Sequence, residues 1–274
     1  MKIISILCFL LLYSSLYGQD NSYSGTIKNK KSNEVLEFVS IGIVGKEIGT
    51  VSGIDGSYSL IISPEFDKDS IKFSCIGYLP FIKEVAEYKS LPNKDIVLET
   101  KDIVLTEIVV NQLNLKEKIL GNKYKARTFQ GGFRENNKGF ECGVLLKVKK
   151  KTHLQQLVCN IAECTYDSIM YRVNVYKEVG NNDFTNILDQ PIYIKQKIES
   201  KRTSLDIDLA KYNIMVENNT LVTLEHIADM GDGYLLFSGS PFKGSTCYFR
   251  RKSHSEWNKT PLKLGFNVKV LEEI

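Results

Sequence analysis

Short apolar runs that alternate with polar residues recur along almost the whole chain, and turn-forming residues separate them. The clearest run spans residues 169–176, where Ile169, Tyr171 and Val173 occupy one face of a strand and Arg172 lies on the other. A period of two residues is typical of a β-strand with one buried face. The sequence therefore predicts an all-β protein made of two β-sandwiches, the second of them jelly-roll-like.

The first residues have the pattern of an export signal. Lys2 precedes an apolar run over residues 3–13, small or polar residues follow, and Gln19 is the expected new N-terminus. This run is shorter than the roughly 20 residues that a membrane-spanning helix needs. We assign residues 1–18 to a signal peptide. We expect a protein of the periplasm, outer membrane or cell surface, without a transmembrane segment after the signal is removed.

Length and charge indicate two domains. About 255 residues follow the leader, which is more than one ordinary domain contains. Residues 20–110 carry ten lysines, no arginine and 14 acidic residues, a net charge of −4, whereas residues 111–274 carry 25 basic and 18 acidic residues, a net charge of +7. A domain this mildly basic, without a nucleic-acid-binding motif, does not indicate a DNA or RNA partner. We place the first domain at residues 21–110, a connector at 111–121 and the second domain at 122–274.

The first domain is predicted to consist of short antiparallel strands without an amphipathic helix. A hairpin is predicted at residues 50–60, turning at Asp55 and Gly56, because glycine tolerates a positive φ and aspartate bonds to nearby backbone. The other predicted strands cover residues 22–28, 38–44, 71–75, 95–98 and 105–110.

The order of these pieces points to a family. The segments SGTI, FVSIGIVG, GTVSGIDGSYSL, IGY and LTEIVV follow one another over about 90 residues. This order resembles that of the carboxypeptidase-like regulatory domain, which implies a seven-stranded, transthyretin-like sandwich. Such domains accompany TonB-dependent receptors, surface proteins and peptidases in exported bacterial proteins. We expect no receptor role here, because about 164 residues follow LTEIVV, too few for a plug and a membrane barrel.

The residues of the motif have structural roles in this interpretation. The glycines relax the backbone at bends, the aspartate forms a turn, and the tyrosines fill the core or its rim. One carboxylate in such a turn is not a calcium site, which needs six to eight oxygens. The motif residues are Gly49, Asp55, Gly56, Tyr58, Gly77 and Tyr78.

The second domain continues the β pattern after the connector. Residues 111–121 are predicted to contain one or two turns of helix that end at Gly121. About ten strands follow, and residues 217–220 are predicted to be the turn of a hairpin between strands at 214–216 and 221–227. This half resembles an uncharacterised β domain that is paired with the first one, and the resemblance implies no activity.

The cysteines leave one question open. Five of the six follow the leader, and an exported protein meets an oxidising compartment. Buried free thiols are the favoured interpretation for most of them, because the number is odd and Cys75 shares the inward parity of its strand. A disulfide among the four cysteines of the second domain stays possible, since connectivity cannot be deduced from sequence; these are Cys142, Cys159, Cys164 and Cys247.

The sequence shows no motif that indicates catalysis. The chain has three histidines, none in a zinc-peptidase pattern, and we interpret His226, beside Glu225 and Asp229, as a satisfied or exposed histidine. A nucleophile elbow and a phosphate-binding glycine loop are also missing. Paired carboxylates for glycoside cleavage stay open, because such partners can lie far apart in sequence. We therefore predict no catalytic residue, no metal and no cofactor.

Two clusters of basic residues raise the question of an anion-binding surface. A surface for anionic glycan or phosphate is one interpretation, and solvated strand ends and loops are the favoured one. Trp257 and Tyr248 suggest a sugar-stacking site, although a lone tryptophan is more often packed. The clusters are Lys147, Lys149, Lys150 and Lys151, and Arg250, Arg251, Lys252 and His254 with Phe249 nearby.

These observations favour a non-enzymatic binding or scaffolding protein of the bacterial cell envelope, with an envelope protein or glycan as partner. The alternatives are a carbohydrate-binding module and a hydrolase with an unrecognised carboxylate site. A glycan binder predicts exposed aromatic residues in a groove. An enzyme predicts a cleft with convergent acids of shifted pKa.

Overall fold

The N-terminal part of the chain folds into two small sheets that enclose an apolar core. The computed structural model describes residues 21–102, 114–180, 182–198 and 203–274. In the first of these ranges one sheet has the order β4-β1-β7 and the other the order β3-β2-β5-β6. The strands are β1 (Ser22–Asn29), β2 (Ser40–Ile43), β3 (Gly49–Val51), β4 (Ser57–Ile61), β5 (Ser70–Ser74), β6 (Phe81–Glu84) and β7 (Ile96–Leu98).

Strand alternation places the core of this domain as predicted. Ile41 and Ile43 of β2 and Ile71 and Phe73 of β5 are fully buried between the two sheets. The other face of β2 is buried as well, which a two-layer domain standing alone does not explain. The predicted strand at residues 105–110 lies outside the described residues.

Two features of this domain differ from the prediction. A short helix, α1 (Val85–Ser90), follows β6 and buries Val85 and Tyr88 against the core, where no helix was predicted. The predicted hairpin at residues 50–60 is also wrong, because β3 and β4 belong to different sheets. The turn itself is present, since Gly56 has a φ of 73° and Asp55 accepts hydrogen bonds from Ser57.

The C-terminal part is a second, larger sandwich. One sheet has the order β13-β12-β17-β10-β19-β20, with β14 also on β12; the other has the order β21-β18-β11-β22-β8, with β15 and β16 on β11 and β9 on β18. The strands are β8 (Leu115–Gly121), β9 (Phe129–Phe133), β10 (Glu141–Leu146), β11 (Thr152–Cys164), β12 (Ser168–Gly180), β13 (Asp183–Asn186), β14 (Ile192–Lys197), β15 (Ser204–Asp208), β16 (Met215–Val216), β17 (Thr220–His226), β18 (Leu235–Ser240), β19 (Cys247–Arg250), β20 (Asn258–Thr260), β21 (Lys263–Leu264) and β22 (Phe266–Glu273).

The core of this sandwich contains the inward residues of both sheets. Val144 of β10, Val173 of β12, Leu157 of β11 and Val268 of β22 are fully buried in one continuous cluster. The fold class is thus confirmed as all-β sandwich. Short 3₁₀ turns at Pro64–Phe66 and Ala210–Tyr212 are the remaining helical pieces of the described residues.

Two local predictions for this half are wrong. Residues Leu115–Gly121 of the connector form a strand that pairs with β22, not a helix, because the backbone of the C-terminal strand is available to them along Asn267–Glu273. The segment 217–220 is not a hairpin turn, since β16 pairs with β11 in one sheet and β17 pairs with β10 and β12 in the other. In a sandwich, the same turn-forming residues occur in a hairpin, which joins neighbouring strands of one sheet, and in an arch, which joins strands of the two different sheets.

Candidate functional site

A buried polar layer covers the outer face of the β12-β17-β10-β19 sheet, where it meets the N-terminal domain. Period-two alternation sends Val173 and Val175 into the core and sends Arg172, Asn174 and Tyr176 to this outer face. Neighbouring strands contribute three charged side chains to the layer, each at most 8% exposed; they are Glu141 of β10, Glu225 of β17 and Arg250 of β19.

Arg172 and Glu225 form the first ion pair of this layer. The Arg172 Nη2 and Nε atoms donate to Glu225 Oε2 at 2.7 and 3.1 Å. The same guanidinium donates to the N-terminal domain, from Nη1 to the Phe38 carbonyl oxygen at 2.7 Å and from Nη2 to Ser40 Oγ at 2.6 Å. One side chain thus binds both domains at once.

Glu141 and Arg250 form the second ion pair. Arg250 Nη2 lies 2.6 Å from Glu141 Oε2, and its Nε donates to the same oxygen at 2.8 Å. The other carboxylate oxygen, Oε1, accepts hydrogen bonds from Asn174, Tyr176 and Thr223. Because Glu141 and Glu225 are directly opposite on β10 and β17, the two pairs share one network.

The protonation state of Glu225 follows from its surroundings. Burial alone would raise the pKa of this carboxyl, but the charges of Arg172 and Arg250 and hydrogen bonds from Arg172 and Asn174 hold its pKa below the ordinary value. Its second oxygen, Oε1, accepts from Ser40 Oγ at 3.3 Å and from Ser253 Oγ at 3.4 Å. Glu225 is therefore ionised and fully hydrogen-bonded to the protein.

The loop after β19 fits closely against the N-terminal sheet. A Cβ atom at Gly42 would lie 2.2 Å from the Ser253 carbonyl oxygen, and one at Gly49 would lie 2.7 Å from it. His254 Nε2 lies 3.2 Å from the Ser40 carbonyl oxygen and 3.3 Å from Ser74 Oγ. Backbone can approach β2 this closely because glycine has no side chain.

Backbone conformation also marks the junction. Phe38 and His254 have φ angles of 52° and 65°, in the left-handed region that such residues rarely adopt. The other non-glycine residues with positive φ in the described ranges are asparagines, which tolerate it. Both unusual residues contact the partner domain, Phe38 through Arg172 and His254 through Ser40. The interdomain contacts therefore stabilise two backbone conformations that would be unfavourable without them.

Beside this network lies a cleft of about 400 Å³ between the two domains. Arg172, Glu225, Arg250 and His254 line it from the second domain, and Lys72 from the first. Its remaining walls come from the segment after β5, from β13 and from the segment after β13. They include Cys75, Gly77, Tyr78, Leu79, Pro80, Phe184 and Leu188. This volume is within the usual range of small-molecule sites.

The motif residues are spread over three places. Gly77 and Tyr78 line the cleft, and Gly49 faces the Ser253 loop. Asp55 and Gly56 form a turn that does not line the cleft, with Asp55 exposed and Gly56 buried. Tyr58 is buried in the N-terminal core, where its hydroxyl lies 2.8 Å from that of Tyr88, and burial raises its pKa to about 12.

The predicted solvated character of the second basic cluster is wrong for two of its members. Arg250 is buried in the ion network, and His254 lies against Ser40, where burial and the charges of Arg250 and Lys72 lower its pKa to about 3. Arg251 is exposed as predicted and pairs with Glu47 at 3.2 Å. The first cluster is exposed at all four lysines, Lys147, Lys149, Lys150 and Lys151.

The two aromatic residues proposed for sugar stacking are packed instead. Tyr248 is 2% exposed, and Trp257 is half-buried, with its ring edge-on to Tyr176 and Phe184. The Arg250 guanidinium carbon lies 4.8 Å from the centre of the Trp257 ring. Both rings therefore pack against other side chains, which disfavours a sugar-stacking role.

His226 is a buried, neutral side chain. Its Nε2 lies 2.7 Å from the Ala228 carbonyl oxygen, its Nδ1 has no hydrogen-bond partner, and burial lowers its pKa to about 4. Asp229 turns instead to the Gly231 amide, at 2.9 Å. Across the four described ranges, no three His, Cys, Asp or Glu side chains converge as a metal ion would require.

The cysteines of the second domain are unpaired in this structure. Cys142, Cys159 and Cys247 are buried, and burial raises the pKa of each thiol. Cys75 and Cys164 are half-buried, and their pKa values are also raised by burial. Thiols of this kind are poor nucleophiles near neutral pH.

Sequence reasoning missed the ion network, although part of its signal was visible. The alternation places Arg172, Asn174 and Tyr176 on the face of the strand opposite to the core, but it does not indicate what covers that face. Glu141 and Glu225 are far apart in sequence, so their pairing became visible only with the strand register. The sequence left paired carboxylates open as a possibility. Glu141 and Glu225 form a buried pair of carboxylates, but each of them is bound by an arginine.

No helix in the described ranges has the length and apolar character that crossing a membrane demands.

Residues 23–110 match the family model described as CarboxypepD_reg-like domain, about a third of the chain, which confirms the resemblance. The sequence matches no curated protein. Six chains of solved structures match, among them the infectious bursal disease virus VP2 subviral particle, with 9% identity and a TM-score of 0.25. That match covers 92% of this chain and 60% of the viral chain.

Proposed function

We propose that the chain, whose residues 23–110 are a CarboxypepD_reg-like domain, is an exported, non-enzymatic binding protein of the bacterial cell envelope. Domains of this type occur in exported bacterial proteins, and residues 1–18 have the composition of a signal peptide. In this proposal the two sandwiches act as one body, and the cleft between them is the binding site.

The saturation of the buried network is the observation that carries the non-enzymatic part of the proposal. A general acid or base needs an atom that can exchange a proton with a substrate. Both oxygens of Glu141 and both oxygens of Glu225 already accept hydrogen bonds from the protein, and each carboxylate is ion-paired with an arginine. Their geometry supports a structural role, in which removing one partner would leave an unpaired buried charge.

The alternatives have less support. A carbohydrate-binding module was proposed on Trp257 and Tyr248, and both rings are packed against other aromatic side chains. The hydrolase alternative has no support from Glu141 and Glu225, the pair of buried acids next to the cleft, because both oxygens of each already accept hydrogen bonds from the protein. Binding without conversion remains the function that the site supports best.

The proposal is tested by measuring whether the protein is exported and whether the components that it binds are chemically changed. The tagged full chain is expressed in a bacterium with an outer membrane, the cell is fractionated, and the purified mature protein is incubated with peptidoglycan fragments and lipopolysaccharide. We expect envelope fractionation and recovery of bound components with unchanged masses. Cytoplasmic retention of the uncleaved chain, or time-dependent conversion of these components by the purified protein, would overturn the proposal.

A further inference from the structure

The interdomain cleft has an excess of positive charge. Four cationic side chains line it, Lys72, Lys101, Arg172 and Arg250, and Glu225 is the one carboxylate among the lining residues. That carboxylate is already bound by Arg172. Arg250 is paired with Glu141 behind the wall, so the charge of the cleft that no described carboxylate compensates comes from Lys72 and Lys101.

Lys72 is the cation that is placed to contact a ligand. On β5, Ile71 and Phe73 point into the N-terminal core, so Lys72 and Ser74 project from the opposite face, toward the second domain. Lys72 is paired in register with Gly42 of β2. Within the described ranges its amine has no carboxylate within 4.0 Å and no hydrogen-bond partner.

Arg250 provides a second donor in the same cleft. Its Nε and Nη2 atoms contact Glu141 and Tyr176, whereas Nη1 has no hydrogen bond to any described residue. The guanidinium is fixed by these contacts and by the rings of Tyr176 and Trp257. A pre-positioned guanidinium with an unused N–H group is suited to bind an oxyanion.

Burial and neighbouring positive charge disfavour the protonated forms of Lys72 and His254 in the cleft. Burial, together with the charge of Arg250, lowers the pKa of Lys72. Burial and the charges of Arg250 and Lys72 lower the pKa of His254 to about 3. A bound anion would relieve this repulsion, because an opposite charge nearby favours the protonated form.

The other walls of the cleft are apolar or aromatic. They come from Tyr78, Leu79 and Pro80 on one side and from Phe184 and Leu188 on the other. Phe184 is held by edge-on contacts with Tyr248 and Trp257, at ring-centre distances of 5.1 and 5.8 Å. A ligand that fits both parts of the cleft has a charged head and an apolar body.

We propose that the cleft binds a small organic anion, with a carboxylate or phosphate head at Lys72 and Arg250 and an apolar or aromatic body between Tyr78 and Phe184. This inference gives the ligand class of the binding function proposed above and rests on it. Lys101, at the end of the first domain, adds charge at the same cleft.

The test is calorimetric titration of the full mature chain with phenyl phosphate, benzoate and inorganic phosphate, with phenol as the uncharged probe. We expect binding of phenyl phosphate or benzoate, weaker binding of inorganic phosphate and none of phenol. The stronger of the first two identifies the head group. The variant Lys72→Gln should lose about tenfold in affinity, the usual effect of one charge-assisted hydrogen bond. Lys68→Gln, an exposed lysine of the same domain, should bind as the wild type does.

Equal affinity in the two lysine variants, or no binding of any of the three anions, would overturn the inference. Lys72 loses no ion pair with any residue that the structure describes, so thermal melting of Lys72→Gln should match that of Lys68→Gln. An affinity loss cannot then be ascribed to unfolding. Failure here is distinguishable from failure of the proposed function. A chain that binds no anion can still be exported and retain envelope components unchanged, whereas an enzyme would convert them whatever Lys72 does.

Discussion

Arg172 and Glu225 face each other across β12 and β17, and the guanidinium of Arg172 continues to Ser40 and Phe38 of the N-terminal domain. The ion pair is 1–4% exposed at its side chains. An arrangement of this kind contributes little as an isolated pair, since desolvation offsets attraction, but it is sensitive to the loss of either member. It joins the family domain to the second sandwich.

Replacing Arg172 by methionine tests this joint. The variant Arg172→Met keeps the length of the side chain but leaves Glu225 buried without its main partner, so we expect a loss of roughly 3–5 kcal/mol in the free energy of unfolding. Urea denaturation followed by the fluorescence of Trp257, the single tryptophan, measures it.

The matched control is Arg251→Ala, which removes an exposed arginine whose pair with Glu47 lies in solvent. Exposed pairs of this kind contribute at most about 1 kcal/mol. If Arg251→Ala and Arg172→Met shifted the urea midpoint equally, the structural role assigned to the buried network would be wrong.

Gly42→Ala tests the close approach of the two domains. The added methyl group would lie 2.2 Å from the Ser253 carbonyl oxygen, so backbone must move on one side of the junction. We expect destabilisation of at least 1–3 kcal/mol, as in overpacked cores. Gly131→Ala is the control, because its nearest neighbours are the flexible tips of Leu262 and Leu264 at 3.2 and 3.4 Å. A Gly42→Ala variant as stable as Gly131→Ala would disprove the contact.

Stability should fall when the pH drops below the ordinary histidine pKa of 6.5. Burial lowers the pKa of His226 to about 4 and, with nearby charges, that of His254 to about 3, so the unfolded chain takes up protons that the folded chain does not. The resulting loss of stability begins near pH 6.5 and grows down to those lower values, and it is absent above about pH 7.

The measurement is the urea midpoint between pH 7.5 and about 5.5, which lies above the range in which Glu225, with its lowered pKa, begins to lose its own contribution. The variants His226→Gln and His254→Asn should each show a smaller decrease over this interval, and asparagine suits the left-handed backbone of residue 254. A decrease unchanged in both variants would assign the effect to other groups.

Thiol labelling should divide the cysteines into two classes. Cys142, Cys159 and Cys247 are buried with raised pKa values, and we expect no reaction with a thiol reagent at pH 8 until the protein unfolds. Cys75 and Cys164 are half-buried and should react slowly in the folded protein. Mass spectrometry of labelled peptides gives the rates, and labelling of Cys159 at the rate of Cys164 would contradict the described core.

The elements of this fold were largely predictable, whereas their partners were not. Alternation identified β12 and the buried face of β2, because side-chain period is a local property of the chain. The choice between hairpin and arch at Asp55-Gly56 depends on which sheet receives the next strand, and turn residues carry no such information. The strand at Leu115–Gly121 was likewise decided by pairing with β22, a segment about 150 residues away.

The candidate site was hidden for a related reason. The outer face of β12 has the polar residues of a solvated sheet surface, and only the docking of another domain turns that face into an interior. The charges at Glu141, Arg172, Glu225 and Arg250 are unremarkable in the sequence and become informative when four strands bring them together. The structural motif of the family, by contrast, is visible in the sequence itself, as short segments in a fixed order.

Hydrogen exchange with mass spectrometry, on the wild type and Arg172→Met under conditions where both are folded, tests most directly whether the ion network joins the two domains. We predict faster exchange in Arg172→Met at β12, at β2 and in the loop around Ser253 together, with β11 in the far sheet unchanged. Faster exchange confined to β12, with β2 and the Ser253 loop as protected as in the wild type, would contradict the account.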